Sequence, residues 1–179
     1  MTMTTTLRRL FVLPAVLALA ALTGCASQMT HQEMTPATVQ LAKHRPQSVT
    51  VTAVPRAGAD AAATALVTGE LRTAISDAIT ASQAFANVKP DGGDFQLTAQ
   101  VFSESHPAFG ISFTTKLSMG WTLKRADTGA TLWQEEIASE HTTGGMEAFV
   151  GAERVKMSVA GAIRANIAKA MTRISEQTF

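Results

Sequence analysis

Apolar and polar residues alternate without a break from Ile111 to Lys124. Ile111, Phe113, Thr115, Leu117, Met119, Trp121 and Leu123 fall on one parity, and Ser112, Thr114, Lys116, Ser118, Gly120, Thr122 and Lys124 on the other. A period of two sends successive side chains to opposite faces, so this segment predicts a strand with one face in a core and one in water. Phe95, Leu97, Ala99 and Val101 alternate in the same way with Gln96, Thr98 and Gln100. Val49 to Val54 is β-branched and alternating, and Pro55 to Gly58 end it. Asp127-Thr128-Gly129 is a hairpin signal leading into a return strand over 130–142 that carries Leu132, Trp133 and Ile137.

Two stretches change period. Val67, Leu71, Ala74, Ile75, Ala78 and Ile79 recur every three or four residues, which predicts an amphipathic helix over about 60–82 with Asp60 at its start. Val155, Val159, Ala162, Ile163, Asn166, Ala170 and Ile174 predict a second, longer helix ending near Ser175. Between the first helix and the turn Pro90-Asp91-Gly92-Gly93 lies a short apolar piece, Phe85 to Val88. The order is β-α-(β)-β-β-β-α. It predicts an α+β domain of two layers, an antiparallel sheet of about four strands with two helices on one face, spanning 48–179.

The amino-terminal residues follow no such pattern. Arg8 and Arg9 precede an apolar run from Leu10 to Leu22, which fits the h-region of a signal peptide and is shorter than the ~20 residues of a spanning helix. The run ends in Leu22-Thr23-Gly24-Cys25, which resembles the lipobox of bacterial lipoprotein precursors. That resemblance implies removal of residues 1–24 by cleavage between Gly24 and Cys25, with lipid on the Cys25 sulfur and a fatty acyl chain such as palmitate on its amine. Two or more chains anchor durably, at ~0.8 kcal/mol per buried methylene. Arg8-Arg9-Leu10-Phe11-Val12 also resembles part of a twin-arginine signal, but paired arginines are ordinary here and the general secretory route is favoured. Ala26 stands where an Asp would retain a lipoprotein in the inner membrane, so the resemblance implies outer-membrane anchoring facing the periplasm. Residues 25–47, with Pro36 and Pro46 and no sustained period, read as a polar tether in which His31 and His44 are solvated.

Composition narrows the function. Cys25 is the only cysteine of the 179-residue chain, which excludes an internal disulfide and thiol-based zinc or redox chemistry. Without Arg8 and Arg9 the acidic residues outnumber the basic ones by one, so no electrostatic footprint for nucleic acid exists. No motif for a cofactor is present.

Several polar residues invite chemistry. Ser103, Glu104 and His106 include the residue types of a nucleophilic triad, but neighbours in one loop do not reach the required geometry, and no Gly-x-Ser-x-Gly elbow accompanies them. Glu136 and Glu140 share a strand face while Glu135 and His141 point the other way, which favours a solvated face over a metal site. Gly144-Gly145 lacks the Gly-Lys-Ser/Thr of a phosphate loop and reads as a connection. Asn166 falls on the apolar stripe of the last helix and requires a hydrogen-bonding partner, and Arg154 lies near that helix's start. His106 and Phe109, in the link between the two most regular strands, stand as candidate partner contacts, against the plainer expectation that Phe109 tucks against the sheet.

Asp127-Thr128-Gly129-Ala130-Thr131-Leu132-Trp133, together with lipobox, tether and domain order, resembles small envelope lipoproteins such as YajG, the lipopolysaccharide-assembly lipoprotein and the activators of penicillin-binding proteins. The resemblance implies a non-enzymatic accessory module, bound to the membrane through its lipid and to an envelope protein, glycan or lipid. The alternative is an enzyme acting on envelope glycans or lipids, which would need a convergent set of polar groups.

Overall fold

The computed structural model describes residues 28–179; Gly24, Cys25 and the expected signal peptide lie outside the described residues. In chain order the elements are α1 (His31–Met34), β1 (Arg45–Val54), α2 (Ala61–Ser82), β2 (Phe85–Lys89), β3 (Phe95–Ser105), β4 (Phe113–Arg125), β5 (Thr131–Thr143) and α3 (Gly151–Glu176). The strands form one sheet in the order β2-β1-β3-β4-β5. The fold is α+β in two layers, as the two periodicities require. Leu97, Ala99, Met119, Trp121 and Leu123 are buried beneath Ile75 and Ile79 of α2 and Ile163 and Ile167 of α3. The other face of the sheet is mainly Thr, Ser and Gln.

The sheet has five strands and is mixed rather than antiparallel throughout. β1 pairs in parallel with both β2 and β3, while β3, β4 and β5 are antiparallel neighbours. Alternation within a strand carries no information about the direction of its neighbour. The 22-residue α2 supplies the crossover that a parallel β1–β2 pair needs. The second parallel pair arises differently. The turn at 90–94 steps across the backbone of β1, moving the chain from β2 on one side to β3 on the other. At that crossing a Cβ on Gly93 would lie 2.6 Å from the Thr50 nitrogen, so only glycine fits. The crossing is fastened by Gly93 N–H donating to Thr50 Oγ1 at 3.0 Å and by Ser48 N–H donating to Asp94 at 2.8 Å.

Residues 30–47 are not a free tether, as their polar composition suggested. Met34 is fully buried, and β1 already begins at Arg45. His31 donates its backbone N–H to Glu70 at 2.6 Å and lies with its Nδ1 2.8 Å from the same carboxylate. Thr172 Oγ1 donates to Gln40 O, and Ala42 N–H to Ser175 Oγ. The segment is therefore strapped down along α3 by hydrogen bonds from both sides, which hydropathy does not record. His31 is half-buried against Glu70, and His44 contacts Gln83 O through its Nδ1 at 2.9 Å.

Candidate functional site

β4 and β5 are in register from Phe113↔Thr143, so the β3–β4 connection (106–112) and the β5–α3 connection (144–150) leave the sheet at the same end. They touch: a Cβ on Gly145 would fall 2.4 Å from Ile111 Cγ2, so the absent side chain lets the two connections close on each other. The 144–150 connection is shaped by Gly144 N–H donating to Glu147 Oε1 at 2.7 Å. Arg154 Nη1 also donates to Ala148 O at 2.6 Å, and its guanidinium lies 5.7 Å from the centre of the Phe113 ring. Arg154 thus has a structural task, holding the connection from the first turns of α3.

This frame presents apolar side chains to solvent. Phe109 is 86% exposed and Ile111 82%, while Met146 and Phe149 are fully exposed and Val150 is exposed beside them. Folding hides apolar surface of this size wherever it can, and several exposed apolar side chains at one end of the sheet mark a contact site. Phe109 does not tuck against the sheet end; its ring stands in solvent, next to Gly110 at φ 156°. The sequence pattern singled out Phe109 and set Ile111 on the core face of a strand, but β4 begins only at Phe113 and leaves Ile111 in solvent. Met146 and Phe149 escaped the pattern because a two-loop cluster exists only once β4 and β5 are paired.

Behind the tip, on the helix side, a groove of about 320 Å³ runs between the end of β1, the start of α2 and β3; Val54, Val67, Leu71, Val101, Arg56 and Glu104 line it. Thr64 and Thr68 also line it, their hydroxyls donating to the carbonyl oxygens of Asp60 and Thr64.

The other candidates resolve into structure. An irregularity in β3 between Val101 and Ser103 puts Ser103 opposite Ser118 and Glu104 opposite Leu117, so Ser103 and Glu104 face opposite sides of the sheet. His106 stands 4.0 Å from Glu104 and contacts the carbonyl oxygen of Pro107. The three residues do not form a relay. Glu136 accepts from Ser118 Oγ across the open face, whereas Glu135 pairs with Arg173 at 3.5 Å and His141 lies against Gly161 of α3. Among the described residues no group of three or more His, Cys, Asp or Glu is placed to hold a metal. Asn166, fully buried, accepts from Trp121 Nε1 at 2.8 Å and donates to Ile137 O at 2.7 Å and Ser139 Oγ at 3.1 Å. Its partner is thus the sheet itself, as a buried amide demands.

No family model matches the chain, and no curated protein is significantly similar to it in sequence. Solved structures share the fold. The protein XCC0632 of Xanthomonas campestris, a DUF330 protein, superposes with a TM-score of 0.58 at 11% identity, covering 79% of this chain and 91% of that one. The PelC dodecamer of Paraburkholderia phytofirmans superposes at 0.51 and 14% identity, over 79% and 95% of the two chains. The protein CT253 of Chlamydia trachomatis also gives 0.51, at 10% identity over 74% and 99%. At such identities the likeness defines the architecture and nothing finer.

Proposed function

We propose that this chain is a lipid-anchored accessory domain of the bacterial envelope, a docking module that works through its two-loop tip. The tip carries the reading: Phe109, Ile111, Met146 and Phe149 stand in solvent on connections mounted on the rigid β3–β4–β5 sheet. The Leu22-Thr23-Gly24-Cys25 sequence supports anchoring through Cys25, and Ala26 supports the outer membrane, facing the periplasm. Among the described residues no helix is long and apolar enough to cross a membrane, so this reading assigns attachment to the lipid. The resemblance to the YajG, lipopolysaccharide-assembly and penicillin-binding-protein-activator lipoproteins points to the same kind of role. An enzyme acting on envelope glycans or lipids would need polar groups converging in a cleft, and the groove beside Arg56 and Glu104 supplies too few.

Two measurements test this. Metabolic labelling with a fatty-acid probe is expected to mark the chain and to be lost in Cys25→Ala; unchanged labelling overturns the anchor. Photo-reactive residues at positions 109 and 149 are expected to cross-link to an envelope component, while one at Lys89, at the far end, is not. Equal cross-linking from both ends removes the tip from the function.

A further inference from the structure

We infer that the tip inserts shallowly into the same bilayer that holds the Cys25 lipid, so that the domain has a second, non-covalent membrane contact. The inference rests on the anchored reading above.

The path of the chain leaves the anchor within reach of the tip. Thr30 N–H donates to Glu33 Oε2 at 2.8 Å, and Lys156 Nζ lies 2.9 Å from the other oxygen of the same carboxylate. Arg164 also donates to the Glu33 carbonyl oxygen, so the chain leaves the domain along α3 between Lys156 and Arg164. From that stretch to Gly151, where the tip begins, is about 8–20 Å along the helix at 1.5 Å per residue. From Thr30 back to Cys25 the backbone can extend about 17 Å, at ~3.4 Å per residue. Because residues 30–44 are strapped to the helices, this short segment is all that separates lipid from domain. A lipid on Cys25 can therefore lie level with the tip, whereas the last residue of α3 is about 18–30 Å along the helix in the other direction.

The form of the tip selects lipid over protein. Met146 and Phe149 are fully exposed, so each stands clear of its neighbours and neither belongs to a packed apolar face. A protein interface needs complementary shape at its buried core. A fluid bilayer needs none; it accepts separate apolar fingers to a depth of about 5–10 Å while the loop backbone stays at the hydrated interface. Charge around the tip is mixed, with Glu104, Glu147, Arg154 and Lys116 near its base, so insertion is driven by apolar transfer and not by attraction to anionic headgroups.

The full-length lipidated protein provides the test. Once its sulfur carries lipid, Cys25 leaves the chain with no free thiol, so one introduced cysteine takes an environment-sensitive fluorophore at a single site. Labelled Phe109→Cys, Met146→Cys and Phe149→Cys proteins are reconstituted into vesicles of zwitterionic phosphatidylcholine, with Asp91→Cys as a far-end control. Tip probes are expected to blue-shift and to be quenched by lipids carrying a spin label in the upper acyl chain, unchanged from low to 1 M salt, while the Asp91 probe stays aqueous. Aqueous emission from all three tip probes, in protein shown by mass to be lipidated and by flotation to be vesicle-bound, overturns the insertion and leaves the anchor standing. Shielding that follows protein density and escapes the lipid quencher also overturns it, in favour of a second copy. Loss of flotation with an unlipidated mass instead overturns the anchored reading.

Discussion

The two ends of the sheet use the same kinds of residue for opposite purposes. At the end where β1 begins, Phe85 and Phe95 are buried and meet edge to face, with ring centres 6.1 Å apart, and Phe179 closes on Phe95 at 5.9 Å. Arg45 lies over the Phe179 ring at 3.8 Å and donates to Ile174 O at 2.9 Å and Gln177 O at 2.8 Å, adding a charged donor to carbonyls at the end of α3. Burial holds the Arg45 guanidinium below its usual pKa. The end at 106–112 and 144–150 has Phe109 and Phe149 in water. One end spends its aromatic surface on stability. At the other, the same surface contributes nothing to the isolated fold and is available to something outside it.

The largest expected effect tests the sealed end. Phe85→Ala removes a ring from the core and is expected to lower stability by about 3–5 kcal/mol, read by urea unfolding. A loss below about 1 kcal/mol would break the contrast. Arg45→Ala takes one donor from each of two carbonyls and removes the stacked cation, with an expected loss of about 2 kcal/mol and earlier fraying of the end of α3 in hydrogen exchange.

A smaller effect belongs to the hairpin at that end. Arg125 pairs with Asp127 at 2.9 and 3.1 Å, and this partner lowers the carboxyl pKa from 3.8 to about 2. A depressed carboxyl pKa contributes stability that is full above the unfolded value and lost as pH falls through the folded one. The contribution should therefore vanish between pH 4 and pH 2. Because the pair is exposed, it should be slight and weakened by salt. Comparing melting of the protein and Asp127→Asn across that window checks the sign; a difference that grows toward pH 2 contradicts it.

The smallest expected effect is at the open end. Phe109→Ala and Phe149→Ser should move the melting temperature by no more than a surface substitution does, within about 0.5 kcal/mol. A large drop in either would mean that the tip is packed and would erase the difference between the two ends.

Local pattern was enough for the elements and the layers. The period of two in 113–124 and of three to four in 71–79 and 155–174 are consequences of strand and helix geometry, so each predicts which side chains face the core; Ile111 and Val67, at the ends of the patterns, are exposed because the burying partner stops short of them. The hairpin at Asp127-Thr128-Gly129 is equally local, with Gly129 at φ 71°. The sequence also implied that a buried Asn166 must find partners, without saying where.

What the tertiary structure decided is everything that depends on which segments meet. The parallel pairing of β1 with β3 comes from the crossing at Gly93, and in sequence a glycine at a crossing looks like a glycine in a turn. Residues 30–47 are polar because their hydrogen bonds run to α2 and α3, and composition cannot distinguish bonds to protein from bonds to water. The tip exists because pairing Phe113 with Thr143 brings together Phe109 and Phe149, 40 positions apart. Sequence marks each as a large apolar residue that ought to be buried. Only the pairing of the strands shows that the fold has no place inside for them, and so leaves them for a surface beyond the chain.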